Sequence, residues 1–340
     1  ISHNTVDGLT QSGTGECWGI YTKVRYGRII GNFVRNVTAA GSSDNMGINI
    51  KGTTRAVTSS PQGFGVVCAN NIVRNVGVLG TSGGGIRAQT DDVLVVGNLV
   101  EDCGSAGLVA DEASAYSNVR FANNEVYYST LTATTYGIRL EGSGTNSGAV
   151  NNTVVNATVG CFLNASVADL ADAYCTGNTF TGCTYPVIID AASTRTLSRP
   201  VIDDNVMRSG TAAVLNNGSS GTISLLRLRR NDMARCSSAV SGSLGTTPEI
   251  NGNIGYLRGT ATYDPASLAD GDGVTTTVTV AGAIVGDMTQ VSFGLDLQGI
   301  QLTSWVSAAN TVSVRFQNET GAPIDLGSAT ITAVVSRVIA

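Results

Sequence analysis

An Asn-x-apolar element recurs at Asn4, Asn32, Asn71, Asn98, Asn124, Asn152, Asn178, Asn205 and Asn231, in steps of 28, 39, 27, 26, 28, 26, 27 and 26 residues. One step carries a long insertion and the others barely vary. Self-similarity at such a period marks a solenoid whose like residues stack from turn to turn. Further columns line up on the anchor. Two residues after it stand Val6, Val34, Val73, Val100, Val126, Val154, Phe180, Met207 and Met233. A second strand opens with a small and an apolar residue, as in Gly19-Ile20, Gly47-Ile48, Gly85-Ile86, Gly107-Leu108, Gly137-Ile138 and Gly160-Cys161. Asn253 reads as a degenerate further member.

The period does not suit the alternatives. Leucine-rich repeats need spaced leucines that are missing, no segment shows helical periodicity, and a propeller blade needs about 40 residues. A chain with 42 Gly and only 13% charged residues reads as many short strands and tight turns. The fold expected is all-β: a right-handed parallel β-helix of about ten rungs over residues 1–259, then a small antiparallel β-sandwich over 260–340. In the second part, period-two runs such as Thr275 to Val280 and Thr311 to Phe316 alternate with Gly, Asn and Asp turns. The Asn column could be a ligand-binding stripe, but an internal ladder of amides bonded between turns is the simpler reading.

Seven cysteines invite a search for disulfides. The register answers it: Cys68 and Cys175 share the column of Val95 and Phe121, Cys103, Cys183 and Cys236 that of Val37 and Val76, and Cys161 replaces the strand-two Ile. Free thiols in a core are expected, as in a protein synthesised in a reducing cytoplasm. No Cys/His spacing suggests a metal, and no cofactor is expected. The net charge of −5 argues against nucleic acid. Arg227, Arg229 and Arg230 alternate with Leu as a strand's outer face would. No run of about 18 apolar residues offers membrane insertion. No signal peptide is visible, and the opening at Ile1 within the repeat is read as a missing upstream part.

The Asn-x-Val repeat resembles the right-handed β-helix repeat shared by pectate-lyase-like enzymes and phage tailspikes. The C-terminal run LQGIQLTSWVSAANTVSVRFQNETGAPIDLGSATITAVV resembles terminal β-domains of phage and prophage proteins. The resemblance implies a bacterial surface polysaccharide as partner, a homotrimer, and a place on the virion tail or outside the cell after synthesis in the host cytoplasm. A carbohydrate-binding module or a plain cap is the alternative for the C-terminal part.

Chemistry is expected where loops are uneven. From Asn152 onward the second strand follows after 8 residues, but in the first half after 15, 15, 14, 9 and 13, and an insertion with Arg55 and Pro61 adds to this half. Long loops make a groove wall. Two outward columns cross the second strands. One reads Lys23, Lys51, Gln89, Asp111, Glu141, Asn164 and Asp190, the other Tyr21, Asn49, Arg87, Val109, Arg139, Phe162 and Ile188. With strands about 4.8 Å apart, Asp111 and Glu141 should be neighbours flanked by Arg87 and Arg139. That group suits a glycosidase or, with the arginines opposite a uronate, a lyase. A polar ladder with Arg pairing is the competing reading. Glu112, Gln89, Lys51 and Tyr136 are the expected substrate-binding residues. Asp91 and Asp92 are reserves, with Asp44, Asp7 and Glu16 weaker, and Trp18, Tyr21, Tyr26, Tyr127 and Tyr128 are further sugar platforms. Three functions compete: a tailspike or tail-fibre receptor-binding protein, a secreted polysaccharide lyase or hydrolase, and a structural fibre.

Overall fold

The computed structural model describes residues 1–12, 15–39, 45–52, 65–79, 83–131, 135–217, 220–280 and 283–339, and every side chain in them except those of 112–114, 254–256 and 337–339. Three parallel sheets form a β-solenoid. Sheet I holds the strands that follow each anchor Asn, from Thr5–Asp7 through Leu99–Glu101 to Val206–Met207. Sheet II runs from Cys17–Thr22 through Gly84–Gln89, Ala106–Ser117, Tyr136–Thr145 and Val159–Ala165 to Val240–Ser241. Sheet III runs from Arg28–Ile30 to Glu249–Asn251. Sheet III has nine strands among the described residues, and the strand that opens at Asn253 pairs into the C-terminal unit instead of adding another coil.

Each turn from sheet III to sheet I passes through a left-handed residue just before the Asn, such as Asn70 (φ 54°), Gly97 (φ 64°), Asn123 (φ 53°) and Gly177 (φ 66°). Gly and Asn tolerate that conformation best. The anchor amides then form the internal ladder. Asn124 Nδ2 donates to Asn152 Oδ1 at 2.9 Å and to the Val95 carbonyl at 3.0 Å, while its backbone N–H donates to the same Oδ1 at 2.9 Å. The pattern repeats down to Asn231 and Asn253 at 2.8 Å. Buried amides are thereby satisfied by their own copies one turn away.

Inside, the stacked Val, Ile, Leu and Phe columns share one core with the cysteines. All seven cysteines are free and buried. The small residue that opens sheet II is there for space. A Cβ on Gly107 would stand 2.4 Å from Val126 Cγ1 and 2.9 Å from the Gly137 carbonyl oxygen, and Gly85 and Gly137 are as tightly placed.

The strand Asn253–Tyr263 continues through residue 259, where the change of architecture was expected, and pairs antiparallel with Ala329–Ile339. It belongs to a three-stranded sheet with Met288–Phe293, and a second three-stranded sheet holds Gly273–Thr279, Thr311–Gln317 and Gln301–Ala308. The two enclose a core of their own around Val278, Val306, Val312, Phe316, Ile331 and Val335, a sandwich-like cap.

Candidate functional site

Sheet II supplies the group of charges. Strand alternation sends Leu108, Ala110, Ile138 and Leu140 into the core, so Val109, Asp111, Arg139 and Glu141 face outward. Asp111 pairs with Glu141 and Val109 with Arg139 in direct register, and Arg87 pairs with Val109 from the strand before. The parallel register is set by the repeat, which is why these charges meet across 24 to 30 residues of chain.

Each oxygen of the two carboxylates has a donor group within 3.5 Å, although Arg139 Nε makes no hydrogen bond among the described residues. Arg87 Nε donates to Asp111 Oδ1 at 2.7 Å. Asp111 Oδ2 lies 3.5 Å from an Arg139 terminal nitrogen, and Glu141 Oε2 lies 3.2 Å from Arg139 Nε. Asn164 Nδ2 donates to Glu141 Oε1 at 2.9 Å. Arg139 thus stands between the two acids, and their side chains keep 19% of their exposure. The pairing is the one the polar-ladder reading expects, yet it borders an open cleft of about 420 Å³ lined by Arg87, Gln89, Asp111, Glu141, Gly142, Val167 and Ala168. Within the cleft wall, Gln89 is 7% exposed and its Oε1 has no hydrogen-bond partner among the described residues.

The other expected site residues are distributed differently. Lys51 pairs in register with Gln89 but does not line the cleft. The Glu112 backbone pairs with Gly142, and its side chain lies outside the described residues. Tyr136 packs rather than lining the cleft: its ring stacks on Phe162 at 5.4 Å and 11°, with the Arg139 guanidinium 5.7 Å from its centroid. Beneath this cover, the outward Val109 is fully buried and Phe162 and Ile188 nearly so. At Val109, Phe162 and Ile188 the second column is therefore packed, while Tyr21 at its other end is 38% exposed.

Asp91 and Asp92 serve the corner between sheets II and III. Asp91 accepts from the Ser117 backbone and hydroxyl at 2.7 and 2.8 Å. Asp92 accepts from Asn118 at 2.7 Å, which accepts from Asn146 at 2.8 Å. This is a second, external ladder of left-handed residues that reading the sequence missed. Asp7 is held by Arg35 at 2.6 Å and by Asn36 at 2.8 Å, and these partners keep its carboxyl below the usual range. Glu16 is exposed. Asp44, Arg55 and Pro61 lie outside the described residues. Tyr128 is fully buried with its hydroxyl on the Tyr136 carbonyl at 2.9 Å, so it is not a sugar platform. Trp18 and Tyr21 stack on each other at 4.4 Å.

Gly142, Val167 and Ala168 were not foreseen as cleft residues. Val167 and Ala168 follow the strand Val159–Ala165, in the half of the chain with short loops before its second strands. No charge or motif marks them. Val167 is 56% exposed, a clue visible only in three dimensions. Arg227, Arg229 and Arg230 do form an outer face, clustered on Asp203 at 3.1, 2.9 and 3.9 Å. Among the described residues, no group of three His, Cys, Asp or Glu is placed to hold a metal ion, and no helix is long and apolar enough to cross a membrane.

The architecture is similar to solved tailspike proteins. A tailspike double mutant of E. coli bacteriophage HK620, in complex with a pentasaccharide, is 12% identical with a TM-score of 0.42 over 99% of this chain and 70% of that one. Another HK620 tailspike mutant, in complex with a hexasaccharide, is 11% identical with a TM-score of 0.43 over 99% and 69%. The Gp54 tailspike of Acinetobacter baumannii bacteriophage AP22, in complex with a capsular saccharide of A. baumannii, is 9% identical with a TM-score of 0.43 over 98% and 64%. No protein-family model and no curated protein matches the chain.

Proposed function

We propose that this chain is a polysaccharide-binding β-solenoid of the tailspike kind, which holds a segment of bacterial surface glycan in the sheet II cleft. The observation that carries the reading is the open cleft of about 420 Å³ that Arg87, Gln89, Asp111 and Glu141 line on sheet II. Around it stand guanidinium donors from Arg87 and carboxylate acceptors from Asp111 and Glu141, the mixed polarity that a polyhydroxylated ligand needs. A stiff sheet holds these groups in place without an ordering cost at binding.

Depolymerisation is the finer reading. Neighbouring strands lie about 4.8 Å apart, so a hydrolase built on Asp111 and Glu141 would be of the retaining type, with one carboxyl as acid and the other as nucleophile. A lyase would use a carboxylate as base and Arg87 or Arg139 against a uronate. Either needs the glycan to draw Arg139 away from the oxygens it now contacts. The ion pairing of Arg139 with both carboxylates favours a second reading, an adhesin that binds without cleaving. Assembly as a homotrimer on a virion tail completes the proposal, supported by the solenoid joined to a sandwich cap and by the free thiols of a chain made in a reducing compartment.

The test is an array of capsular and lipopolysaccharide glycans, read for binding, chain shortening and unsaturated-uronate absorbance, beside an Asp111→Asn/Glu141→Gln variant. Cleavage lost in the variant supports a depolymerase, and binding without cleavage an adhesin. No binding by either protein refutes the proposal and leaves a structural fibre.

A further inference from the structure

We infer that the C-terminal sandwich carries a second glycan contact, centred on Trp305, where a pyranose ring stacks on the indole and hydrogen-bonds to Arg315. In the strand Gln301–Ala308, Leu302 and Val306 belong to the sandwich core, which leaves Gln301, Thr303 and Trp305 on the outer face. The register across the sheet places Trp305 opposite Ser313, Thr303 opposite Arg315 and Gln301 opposite Gln317. One strand further, Ser313 pairs with Thr277 and Arg315 with Thr275. The outer face is thus one aromatic set in a field of hydroxyl, amide and guanidinium groups.

Trp305 is 45% exposed, while Ser313, on the same outer face and directly opposite, is only 6% exposed. The Ser313 hydroxyl is taken up within the sheet, donating to Ser307 at 2.7 Å, while the Trp305 indole is left open to a ligand. Arg315 is pre-positioned: its Nε and a terminal nitrogen donate to Gln317 Oε1 at 3.1 and 2.7 Å. Gln317 is fixed in turn by the Gly271 carbonyl at 3.0 Å and Glu319 at 2.8 Å. Held by an amide rather than a carboxylate among the described residues, the guanidinium keeps its charge available for a sugar hydroxyl or carboxylate.

The surroundings choose between occupants. Protein interface cores share Trp and Arg with this face but are depleted of Ser, whereas the neighbours of Trp305 besides Arg315 are Ser, Thr and Gln. A pyranose matches that mixture, with its C–H face on the indole and its hydroxyls toward the polar groups. The inference rests on the reading of the chain as glycan-binding but uses none of the cleft residues. Two linked contacts would raise the overall affinity for a polymer above that of either alone.

The chain has two tryptophans, so 5-fluorotryptophan labelling gives two fluorine resonances, assigned by Trp305→Phe. The full-length chain and its Asp111→Asn/Glu141→Gln variant are titrated with the arrayed capsular and lipopolysaccharide glycans. The expected result is a shift of the Trp305 resonance in both proteins with the same glycan, and affinity about tenfold weaker in Trp305→Ala. A lesser loss is expected in Arg315→Ala. If a cleft-blocking Val167→Asp variant binds as well as the native chain and Trp305 still shifts, the cleft reading fails and this one stands. A Trp305 resonance unmoved by every glycan overturns the inference. So does one that moves only with protein concentration, in step with the mass from light scattering, which would make Trp305 a subunit contact.

Discussion

The side-chain amide of Asn152 donates to Oδ1 of Asn178 at 2.9 Å, across 26 residues of chain, and the Asn152 backbone N–H donates to the same oxygen at 2.9 Å. Asn178 in turn donates to the Ala149 carbonyl at 3.1 Å and to Asn205 Oδ1 at 3.0 Å. Replacing it with alanine strands donors and acceptors above and below in a dry interior. Asn178→Ala should lose about 3 kcal/mol, the cost of leaving more than one buried polar group unpaired. Asn178→Asp should fare no better, because it keeps the acceptor but turns an oxygen toward the Ala149 and Asn205 oxygens. Denaturant midpoints compare the three proteins, and a loss below about 0.5 kcal/mol in either variant would contradict the ladder's role.

Gly107 tests the packing of sheet II. A methyl there meets Val126 Cγ1 at 2.4 Å and the Gly137 carbonyl oxygen at 2.9 Å. Gly107→Ala should cost about 2 kcal/mol by overpacking, although alanine is elsewhere the easier residue to fold. Pairing it with Val126→Ala should recover part of the loss, which thermal unfolding of the single and double variants will show.

The thiols make the fold sensitive to base. Burial pushes Cys68, Cys103 and Cys183 up to about 12 and Cys236 up to about 11, from an ordinary 9.0. Between those limits the unfolded chain releases protons that the folded chain keeps. Stability is therefore unaffected below about pH 9 and falls as pH rises toward 12, by about 1.4 kcal/mol per thiol for each pH unit. Unfolding midpoints at pH 8, 9 and 10 should show the decline, and Cys68→Val/Cys183→Val should flatten it. At pH 8 the folded chain should resist iodoacetamide while the denatured chain takes up seven equivalents.

Val167 separates binding from stability. It lines the cleft beside Arg87 and Glu141 and is 56% exposed, so Val167→Asp should leave the unfolding midpoint within about 0.5 kcal/mol of the native value. Glycan binding should fall about tenfold, since a new carboxylate crowds the acids already there. Unchanged binding to a glycan that the native chain holds would move the site away from this cleft.

The periodic part of this protein was legible before any coordinate. A stacked repeat converts sequence period into spatial neighbourhood, so Asn152 and Asn178, the Cys columns, and the meeting of Asp111 with Glu141 all follow from alignment alone. Features that break the period were not legible. The loop carrying Val167 has no equivalent spacing to place it over the cleft. The burial of Val109 and Phe162 depends on Tyr136 lying across them, and the corner ladder of Asp92, Asn118 and Asn146 uses residues that also serve ordinary turns.

By itself, then, the sequence determined the solenoid, its register and which side chains share a column, because parallel strands bonded rung to rung leave one alignment that buries the apolar face. Tertiary structure alone decided what those columns face. It set Arg139 between two carboxylates, left Gln89 Oε1 in a cleft wall without a partner among the described residues, and turned Trp305 to the outside. Those outcomes depend on loop paths and on how large side chains lie over the sheet, which no period records.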